Sequence, residues 1–346
     1  MKTHGYAARS AETPLSPFQF ERRSPGELDV QIAIDHCGIC HTDIHNARNE
    51  WGRSVYPCVP GHEIIGRVGA TGAHVTKFAP GDRVGVGCFV GSCGTCRNCE
   101  QGCENYCERG VTLTYGGLEA DEKTPTFGGY STQIVVDEHF VLRVPDALDS
   151  AGAAPLLCGG ITTYSPLKHV GLSNGDQIAV AGLGGLGHMA VKLAASFGAE
   201  VTVLSSSPSK RDDAMRLGAH DFVLTSTEGA LDKQAGRFDY IIDTVSATHD
   251  INGPLNCLRT DGTLILVGVP PMPLELMAKS LIFGRRSVMG SLVGGLTETQ
   301  EMLDYCATHG IMSDVETIAP DQINRAFERT LAGDVRFRFV IDCSAF

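Results

Sequence analysis

A strand, a glycine-rich turn and a helix follow one another between residues 177 and 198, and this succession constrains the fold more than any other feature. The apolar stretch "QIAVA" predicts a short buried strand, and the apolar residues spaced from Met189 to Phe197 predict a helix with one buried face. Between them stands a G-x-G-x-x-G sequence, which here predicts a doubly wound α/β unit whose helix N-terminus binds the pyrophosphate of a dinucleotide. The turn residues predicted to contact it are Gly182, Gly184, Gly185, Leu186 and Gly187.

The residues at the end of the next strand indicate which dinucleotide binds. A site selective for NAD carries Asp or Glu there, roughly 20 residues after the glycines, to bind the ribose hydroxyls. This chain instead has Ser205, Ser206 and Ser207, followed by Lys210. Hydroxyl donors and a cation bind a 2′-phosphate that a carboxylate would repel, so the sequence predicts NADP(H). The alternative is a ligand-free turn followed by an ordinary polar loop.

Five cysteines lie within the stretch "GSCGTCRNCEQGCENYC". Cys93, Cys96 and Cys99 are separated by two residues each, and Cys107 follows eight positions later. Four thiolates complete a tetrahedron around Zn²⁺ with no open position, which is typical of a structural site. Cys103 is surplus to this set, although it could substitute for Cys107. Free thiols and a redox disulfide are the alternatives.

A second set of metal-ligating side chains is spread over the segments "HCGICHTDIH", "VPGHEIIG" and "PLLCGGITTYSP". Cys40, His62 and Cys158 offer two thiolates and an imidazole, and Glu63 offers a carboxylate that could bind when water leaves. Three or four such ligands, with a position left for water or substrate, are typical of a catalytic zinc. The spacing alone is weak evidence, because the segments are far apart. An ordinary histidine and a buried apolar thiol are the alternatives.

Several motifs together carry a resemblance to a known family. The stretch "GHEIIGRVGATGAHV" matches the zinc alcohol dehydrogenase pattern, and "CGICHTD", "CGTCRNCEQGCENYC" and "GLGGLG" stand in the order of its medium-chain members. The segments "CGGITTYSPL", "GLGGLGHMAVKLA" and "DVRFRFVID" resemble the cinnamyl alcohol dehydrogenase branch, especially its bacterial broad-range aldehyde reductases. The resemblance covers nearly the whole chain.

The resemblance extends to the predicted catalytic zinc. Cys40, His62 and Cys158 match the three protein ligands, and Glu63 matches the carboxylate that replaces water during ligand exchange. Asp43 matches a carboxylate outside the ligand set, which orients the zinc histidine and fixes its tautomer.

The resemblance also implies a proton relay. Thr42 matches the hydroxyl that receives the alcohol proton, and His45 matches the outer base, which would act by way of the nicotinamide ribose. A histidine near neutral pKa can exchange a proton with solvent. The alternatives are a helix-capping threonine and a surface histidine.

Two domains are expected from the length of 346 residues. Short alternating stretches among Gly and Pro turns predict a β-rich catalytic domain, of the GroES-like type that the resemblance implies, formed by residues 1–150 and 291–346. Residues 151–290, with further buried-strand sequences such as "FDYIIDTV", are predicted to form the doubly wound Rossmann domain. The predicted fold class is therefore α/β.

Net charge and the distribution of apolar residues argue against binding to nucleic acid or membranes. The net charge of −12 disfavours general binding to nucleic acid or to anionic membranes. No apolar run approaches the roughly 20 residues of a membrane helix, and the N-terminus lacks the apolar centre of a secretory signal. We therefore expect a cytoplasmic protein with a small-molecule substrate, and the resemblance favours a homodimer.

The sequence thus predicts a zinc-dependent, NADP(H)-linked alcohol dehydrogenase that chiefly reduces aromatic and aliphatic aldehydes, by hydride transfer to a zinc-bound carbonyl. Trp51 is the chain's only tryptophan, and by resemblance it borders the substrate pocket; ordinary packing is the alternative. An NAD-linked polyol or secondary-alcohol dehydrogenase is the alternative enzyme. A zinc-stabilised nucleotide sensor without activity is the alternative outside enzymes.

Overall fold

The computed structural model describes residues 1–119, 121 and 123–346. The chain divides into two compact units. Unit 1 comprises Met1–Ile161 and Gly294–Phe346, and unit 2 comprises Thr162–Val293. Among the described residues, no helix has the length and apolar character that crossing a membrane requires.

The strands and helices are numbered along the chain. The strands are β1 (Lys2–Ala7), β2 (Ser16–Glu21), β3 (Asp29–Gly38), β4 (Ile64–Thr71), β5 (Arg83–Val86), β6 (Phe89–Gly91), β7 (Thr112–Leu113), β8 (Gln133–Asp137), β9 (Leu142–Arg143), β10 (Gln177–Ala181), β11 (Glu200–Ser205), β12 (Asp221–Leu224), β13 (Phe238–Asp243), β14 (Leu258–Leu266), β15 (Ser287–Gly290), β16 (Val315–Ile318) and β17 (Arg338–Asp342). The helices are α1 (His41–Ala47), α2 (Arg97–Glu100), α3 (Ser150–Ala153), α4 (Gly159–His169), α5 (Gly187–Ser196), α6 (Arg211–Leu217), α7 (Asn252–Cys257), α8 (Ala278–Ile282), α9 (Leu296–His309) and α10 (Ile323–Leu331).

Unit 1 is built around a mixed sheet in which the strands follow the order β16-β17-β3-β4-β5-β9, with β8 also paired to β3. Its pairs are antiparallel except β16 with β17. Strand β17 runs beside β3, with Ile341 opposite Cys37. The C-terminal strand of the chain therefore lies beside the strand that leads into α1. The mixed sheet confirms the β-rich character that the sequence predicts for the catalytic domain.

Unit 2 contains a parallel sheet in the order β12-β11-β10-β13-β14-β15. Ala179, Phe238, Ile241 and Leu264 are fully buried within it, as expected for strands covered by helices on both faces. The strand order reverses between β10 and β13, which in doubly wound sheets is where dinucleotides bind. The predicted α/β fold class is confirmed.

Candidate active site

Four predicted ligands come together in unit 1. Cys40 directly precedes α1, His62 and Glu63 directly precede β4, and Cys158 directly precedes α4. One ligand atom from each residue lies within 4.8 Å of all the others. Ligands bound at about 2.0–2.3 Å to one zinc ion lie roughly 3.3–3.8 Å apart, so small shifts suffice to bind it.

Asp43 fixes the orientation of His62. This carboxylate is completely buried, and its Oδ1 accepts hydrogen bonds from the Gly61 N–H at 3.0 Å and from His62 Nδ1 at 3.2 Å. Its Oδ2 accepts from the Cys40 N–H at 2.9 Å and from the Tyr130 hydroxyl at 3.1 Å. Because His62 Nδ1 must donate to Asp43, Nε2 is the nitrogen left to bind a metal.

Glu63 has one satisfied oxygen and one unsatisfied oxygen. Its Oε1 accepts a hydrogen bond from Arg338 of β17, whose guanidinium also donates to the carbonyl of Ile39. Its Oε2 is buried and has no hydrogen-bond partner among the described residues. Burial raises the pKa of Glu63 to about 7, although the charge of Arg338 lowers it. An unpartnered buried oxygen beside two thiols and an imidazole fits a metal site.

The thiols of the group are not equivalent. A hydrogen bond from Cys158 lowers the pKa of Cys40 well below the usual value for a thiol. Cys88 also lies within hydrogen-bonding reach of Cys158. A thiol with a lowered pKa is converted more readily to the thiolate, the form that binds metals.

The second predicted site is also assembled within unit 1. The sulfurs of Cys93, Cys96, Cys99 and Cys107 lie within 4.8 Å of one another. The Cys96–Cys99 separation is 3.5 Å and the Cys93–Cys99 separation is 3.9 Å, close to the value of about 3.8 Å for sulfurs around one tetrahedral zinc. These separations exceed a disulfide bond length of about 2.05 Å, so this geometry supports a metal cage.

Backbone amides help to stabilise this cage. A hydrogen bond from the Thr95 amide lowers the pKa of Cys93 to about 6, and the Glu108 N–H points at Cys96 Sγ from 3.5 Å. Cys103 is exposed and lies outside the group, with its sulfur 3.9 Å from the carbonyl oxygen of Gln101. The two donor groups fit a structural zinc and a catalytic zinc.

The predicted relay residues lie on α1. Thr42 is the second residue of this helix, and Cys40 is the residue at the capping position, so Thr42 does not act as the cap. The Nδ1 atom of His45 lies 2.5 Å from Glu50 Oε2, and its ring lies against Trp51 with centroids 5.0 Å apart. Trp51 thus contacts a predicted relay residue.

The glycine turn of unit 2 has the space that its predicted role requires. Gly182 has a φ of +87°, a conformation that other residues rarely adopt. A Cβ on Gly187 would lie 2.2 Å from the carbonyl oxygen of Gly182, so Gly187 allows close packing within the turn. A Cβ on Gly184 would meet no atom within 4 Å, which leaves its backbone open to a ligand. Gly185 and Leu186 complete the turn before α5, whose first amides form the predicted anion-binding end.

Strand β11 ends at the predicted serines. Ser205 is its last residue, and the Ser205 hydroxyl accepts a hydrogen bond from the Ser207 N–H at 3.2 Å. Ser206 is exposed, and Lys210 is partly exposed. The guanidinium of the neighbouring Arg211 lies over the ring of Phe222, 4.8 Å from its centroid.

Two residues that contact the predicted metal site, Arg338 and Tyr130, were not predicted from the sequence. Arg338 neutralises Glu63, and Tyr130 donates to Asp43. A buried carboxylate requires a cation to pair with it, but nothing local to Glu63 or Arg338 in the sequence identifies the two as partners. Only the pairing of β17 with β3 brings Arg338 to the site.

Comparison with known proteins gives the family. Residues 26–146 match the alcohol dehydrogenase GroES-like domain, and residues 185–308 match the zinc-binding dehydrogenase family. The chain is 53% identical to the NADP-dependent alcohol dehydrogenase C of Mycobacterium bovis over 98% of both chains.

Solved structures agree with this match. A cinnamyl alcohol dehydrogenase from Sorghum bicolor superposes with a TM-score of 0.97 at 48% identity, covering 99% of this chain and 98% of that one. The cinnamyl alcohol dehydrogenase from Helicobacter pylori, complexed with NADP(H), gives a TM-score of 0.94 at 41% identity over 99% of both chains. The chain therefore belongs to the zinc-binding alcohol dehydrogenases of the medium-chain family. The predicted resemblance to the cinnamyl alcohol dehydrogenase branch is confirmed.

Proposed function

We propose that this chain is an NADP(H)-linked zinc alcohol dehydrogenase of broad range that chiefly reduces aromatic and aliphatic aldehydes. The observation that carries the proposal is the mixed donor group of Cys40, His62, Cys158 and Glu63, in which one carboxylate oxygen has no partner among the described residues. Such a group allows exchange among carboxylate, water and substrate, whereas a closed four-thiolate cage does not. The similar proteins named above as NADP-dependent, or complexed with NADP(H), support the choice of cofactor.

The chain's own residues would hold the reacting groups in place. A zinc ion here supplies Lewis acidity that polarises a carbonyl oxygen, and NADP(H) supplies the hydride. Cys40, His62 and Cys158 would hold the metal, and the hydrogen bond from His62 Nδ1 to Asp43 would leave Nε2 to bind it. Glu63 Oε1 accepts a hydrogen bond from Arg338, so Oε2 would be the oxygen that binds the metal when another ligand leaves.

Thr42 and His45 would move the proton. They are three residues apart in α1 and therefore lie on the same face of the helix. In our proposal, the Thr42 hydroxyl passes a proton to or from the substrate oxygen, and His45 exchanges it with solvent, since its side chain is 22% exposed. Glu50, whose Oε2 lies 2.5 Å from His45 Nδ1, would hold the imidazole in position.

Unit 2 would bind the dinucleotide. Its order of parallel strands and the open backbone at Gly184 support a pyrophosphate on the N-terminus of α5. Ser205, Ser206, Ser207 and Lys210 would bind the 2′-phosphate at the end of β11. We propose that unit 2 is the dinucleotide-binding domain predicted at residues 151–290 and that unit 1 is the catalytic domain predicted at residues 1–150 and 291–346; Cys158 then belongs to the catalytic domain with the other ligands.

Trp51 would shape the substrate pocket. Its indole packs against His45 on one side and lies 5.4 Å from the Arg53 guanidinium. A flat apolar wall beside the relay residue suits benzyl, cinnamyl and medium aliphatic aldehydes. Trp51→Ala should therefore change the relative rates with aromatic and aliphatic aldehydes, and unchanged relative rates would remove this assignment.

We also propose a homodimer formed through unit 2. Strand β15 lies at one end of the sheet order, and the nearby residues Ile282 and Phe283 are 71% and 87% exposed. An open strand edge beside exposed apolar side chains favours pairing with a second chain. The mass of the wild type in solution should be that of two chains, and Phe283→Asp should shift it towards one; a wild type with the mass of a single chain would refute the proposal.

An aldehyde panel tests the function as a whole. The purified protein should contain two zinc ions per chain and should oxidise NADPH when benzaldehyde, cinnamaldehyde or a medium aliphatic aldehyde is added. The catalytic efficiency should be higher with NADPH than with NADH. A chain fully loaded with zinc that oxidises NADPH with none of these aldehydes would contradict the proposal, and equal or better use of NADH would contradict the cofactor assignment.

A further inference from the structure

The loop that follows β13, residues 244–250, packs against the glycine turn of unit 2, and we call it the β13 loop. The Thr244 hydroxyl donates to the carbonyl of Ala181 at 2.8 Å. A Cβ on Gly182 would lie 3.0 Å from Thr244 Oγ1 and 3.1 Å from Val245 Cγ2. Because β10 and β13 are neighbours at the point where the strand order reverses, the β13 loop borders the expected dinucleotide site.

His249, near the C-terminal end of this loop, makes two hydrogen bonds. Its Nε2 lies 2.7 Å from Asp243 Oδ2, and its Nδ1 lies 2.8 Å from the carbonyl oxygen of Ala247. A carboxylate and a carbonyl oxygen can only accept, whereas a neutral imidazole has only one N–H. Both bonds therefore exist together only when His249 is an imidazolium.

Asp243 holds both ends of the β13 loop. Its side chain is buried, with 3% of its surface exposed, and its Oδ1 accepts a hydrogen bond from the Val245 N–H at 3.0 Å. Its Oδ2 faces His249 at the other end. Its backbone carbonyl accepts from the Val267 and Gly268 amides, which attaches the same residue to β14. Movement of His249 would therefore alter the wall that Thr244 and Val245 form beside the glycine turn.

The charged groups acting on His249 favour its protonated form. They are the carboxylates of Asp243 and Asp250; the second also accepts hydrogen bonds from the Asn252 and Gly253 amides at the start of α7. Burial lowers the pKa of His249, but the bonds to Ala247 and Asp243 outweigh it, so the pKa is raised from its usual 6.5. A raised pKa means that the stabilisation is complete at acidic pH and is lost as pH rises through the raised pKa.

We propose that His249 is a positioning residue for NADP(H), whose imidazolium, paired with Asp243, clamps the β13 loop against the glycine turn. The proposal rests on the proposed function in one respect, because it takes unit 2 to bind the dinucleotide. His249 acts through Thr244 and Val245.

The binding of NADPH to the purified full chain tests the clamp. His249→Gln can keep the bond to Asp243 or the bond to Ala247 but not both, and it carries no charge. At about pH 6 we expect its Kd for NADPH, measured by fluorescence titration, to exceed that of the wild type by about five- to tenfold. At about pH 9 the two Kd values should converge, because the wild type has lost the same charge. Because the variant and the wild type are compared at the same pH, any effect of pH on NADPH itself cancels in the ratio of their Kd values.

A matched variant controls for the loss of a histidine. His74 pairs with Glu27 at 3.2 Å in unit 1, and both side chains are mostly exposed, at 65% and 77%. His74→Gln should bind NADPH like the wild type at every pH. If His249→Gln binds like the wild type at acidic pH, or is weaker by the same factor at every pH, the charged clamp is refuted.

Hydrogen exchange of the wild type gives an independent test. Exchange of the peptide covering residues 244–250, corrected for the intrinsic effect of pH, should accelerate as pH rises through the pKa of His249. Exchange that shows no such acceleration would refute the clamp, even if His249→Gln does not fold. A wild type that binds neither NADPH nor NADH would refute the proposed function, while this measurement would still decide the clamp.

Discussion

Replacing Asp43 by Asn tests whether the buried carboxylate controls the metal site. The change preserves shape but turns one acceptor oxygen into an NH₂ donor. One oxygen of Asp43 accepts from Gly61 and His62, and the other accepts from Cys40 and Tyr130. The new NH₂ must therefore face two donors, whichever way the amide is turned.

The cost of Asp43→Asn can be worked out for each orientation. If the NH₂ faces Cys40, the Tyr130 hydroxyl can rotate and accept, but the Cys40 N–H loses its acceptor at a cost of about 1–3 kcal/mol. If it faces His62, that ring must accept through Nδ1, so Nε2 carries the proton and cannot bind zinc. Loss of such a carboxylate typically lowers metal affinity about 10- to 100-fold.

The assay for Asp43→Asn is competition with a chromophoric zinc chelator, together with urea unfolding. We expect one zinc to be removed at a lower chelator concentration than in the wild type, while the zinc of the four-cysteine group is retained as an internal reference. Asp137→Asn is a suitable control, because Asp137 caps the His139 amide at 2.8 Å away from the predicted ligands. Two zincs held with wild-type affinity, and an unchanged free energy of unfolding, would refute the reasoning.

Three further predictions concern the cofactor, the structural metal and the buried ion pair. Ser205→Asp should lower the ratio of catalytic efficiencies for NADPH over NADH by about tenfold or more, because a carboxylate repels the 2′-phosphate; an unchanged ratio in steady-state assays would contradict this. Cys107→Ser should lose one zinc by elemental analysis and melt at a lower temperature, whereas Cys103→Ser should keep both zincs; equal zinc contents would contradict the ligand set. Arg338→Met should reduce the free energy of unfolding, measured by urea titration, by about 3–5 kcal/mol, because it leaves a buried carboxyl group without its cation. Adding Glu63→Gln should recover part of that loss, and no recovery would contradict the pairing.

The sequence predicted best what is encoded over short distances. The glycine turn at 182–187 and the four cysteines between Cys93 and Cys107 each lie within one segment, so their spacing alone indicated a fold and a metal cage. Cys40, His62 and Cys158 come from three segments, and the resemblance to a family was needed to connect them. The cytoplasmic location and the domain boundaries stay predictions.

Tertiary pairing explains what the sequence did not reveal. Arg338 and Tyr130 reach the metal site only because the folded sheet brings them there, and their own segments contain no signal for it. His249 received no role in the sequence analysis because a single loop histidine is usually unremarkable. Its significance depends on two acceptors, Asp243 and Ala247, at hydrogen-bonding distance in the folded loop.

The position of Arg338 has a consequence for biosynthesis. Every predicted zinc ligand leaves the ribosome before β17 is made, yet the cation that neutralises Glu63 belongs to that strand. A nascent or truncated chain without β17 would leave Glu63 without its cation, so this buried carboxyl would be favoured in its protonated form, which binds metal poorly, and one edge of β3 would lack its partner. Such a chain should bind zinc weakly and should be cleaved readily by proteases. Correct metal loading would therefore depend on β17 having been translated.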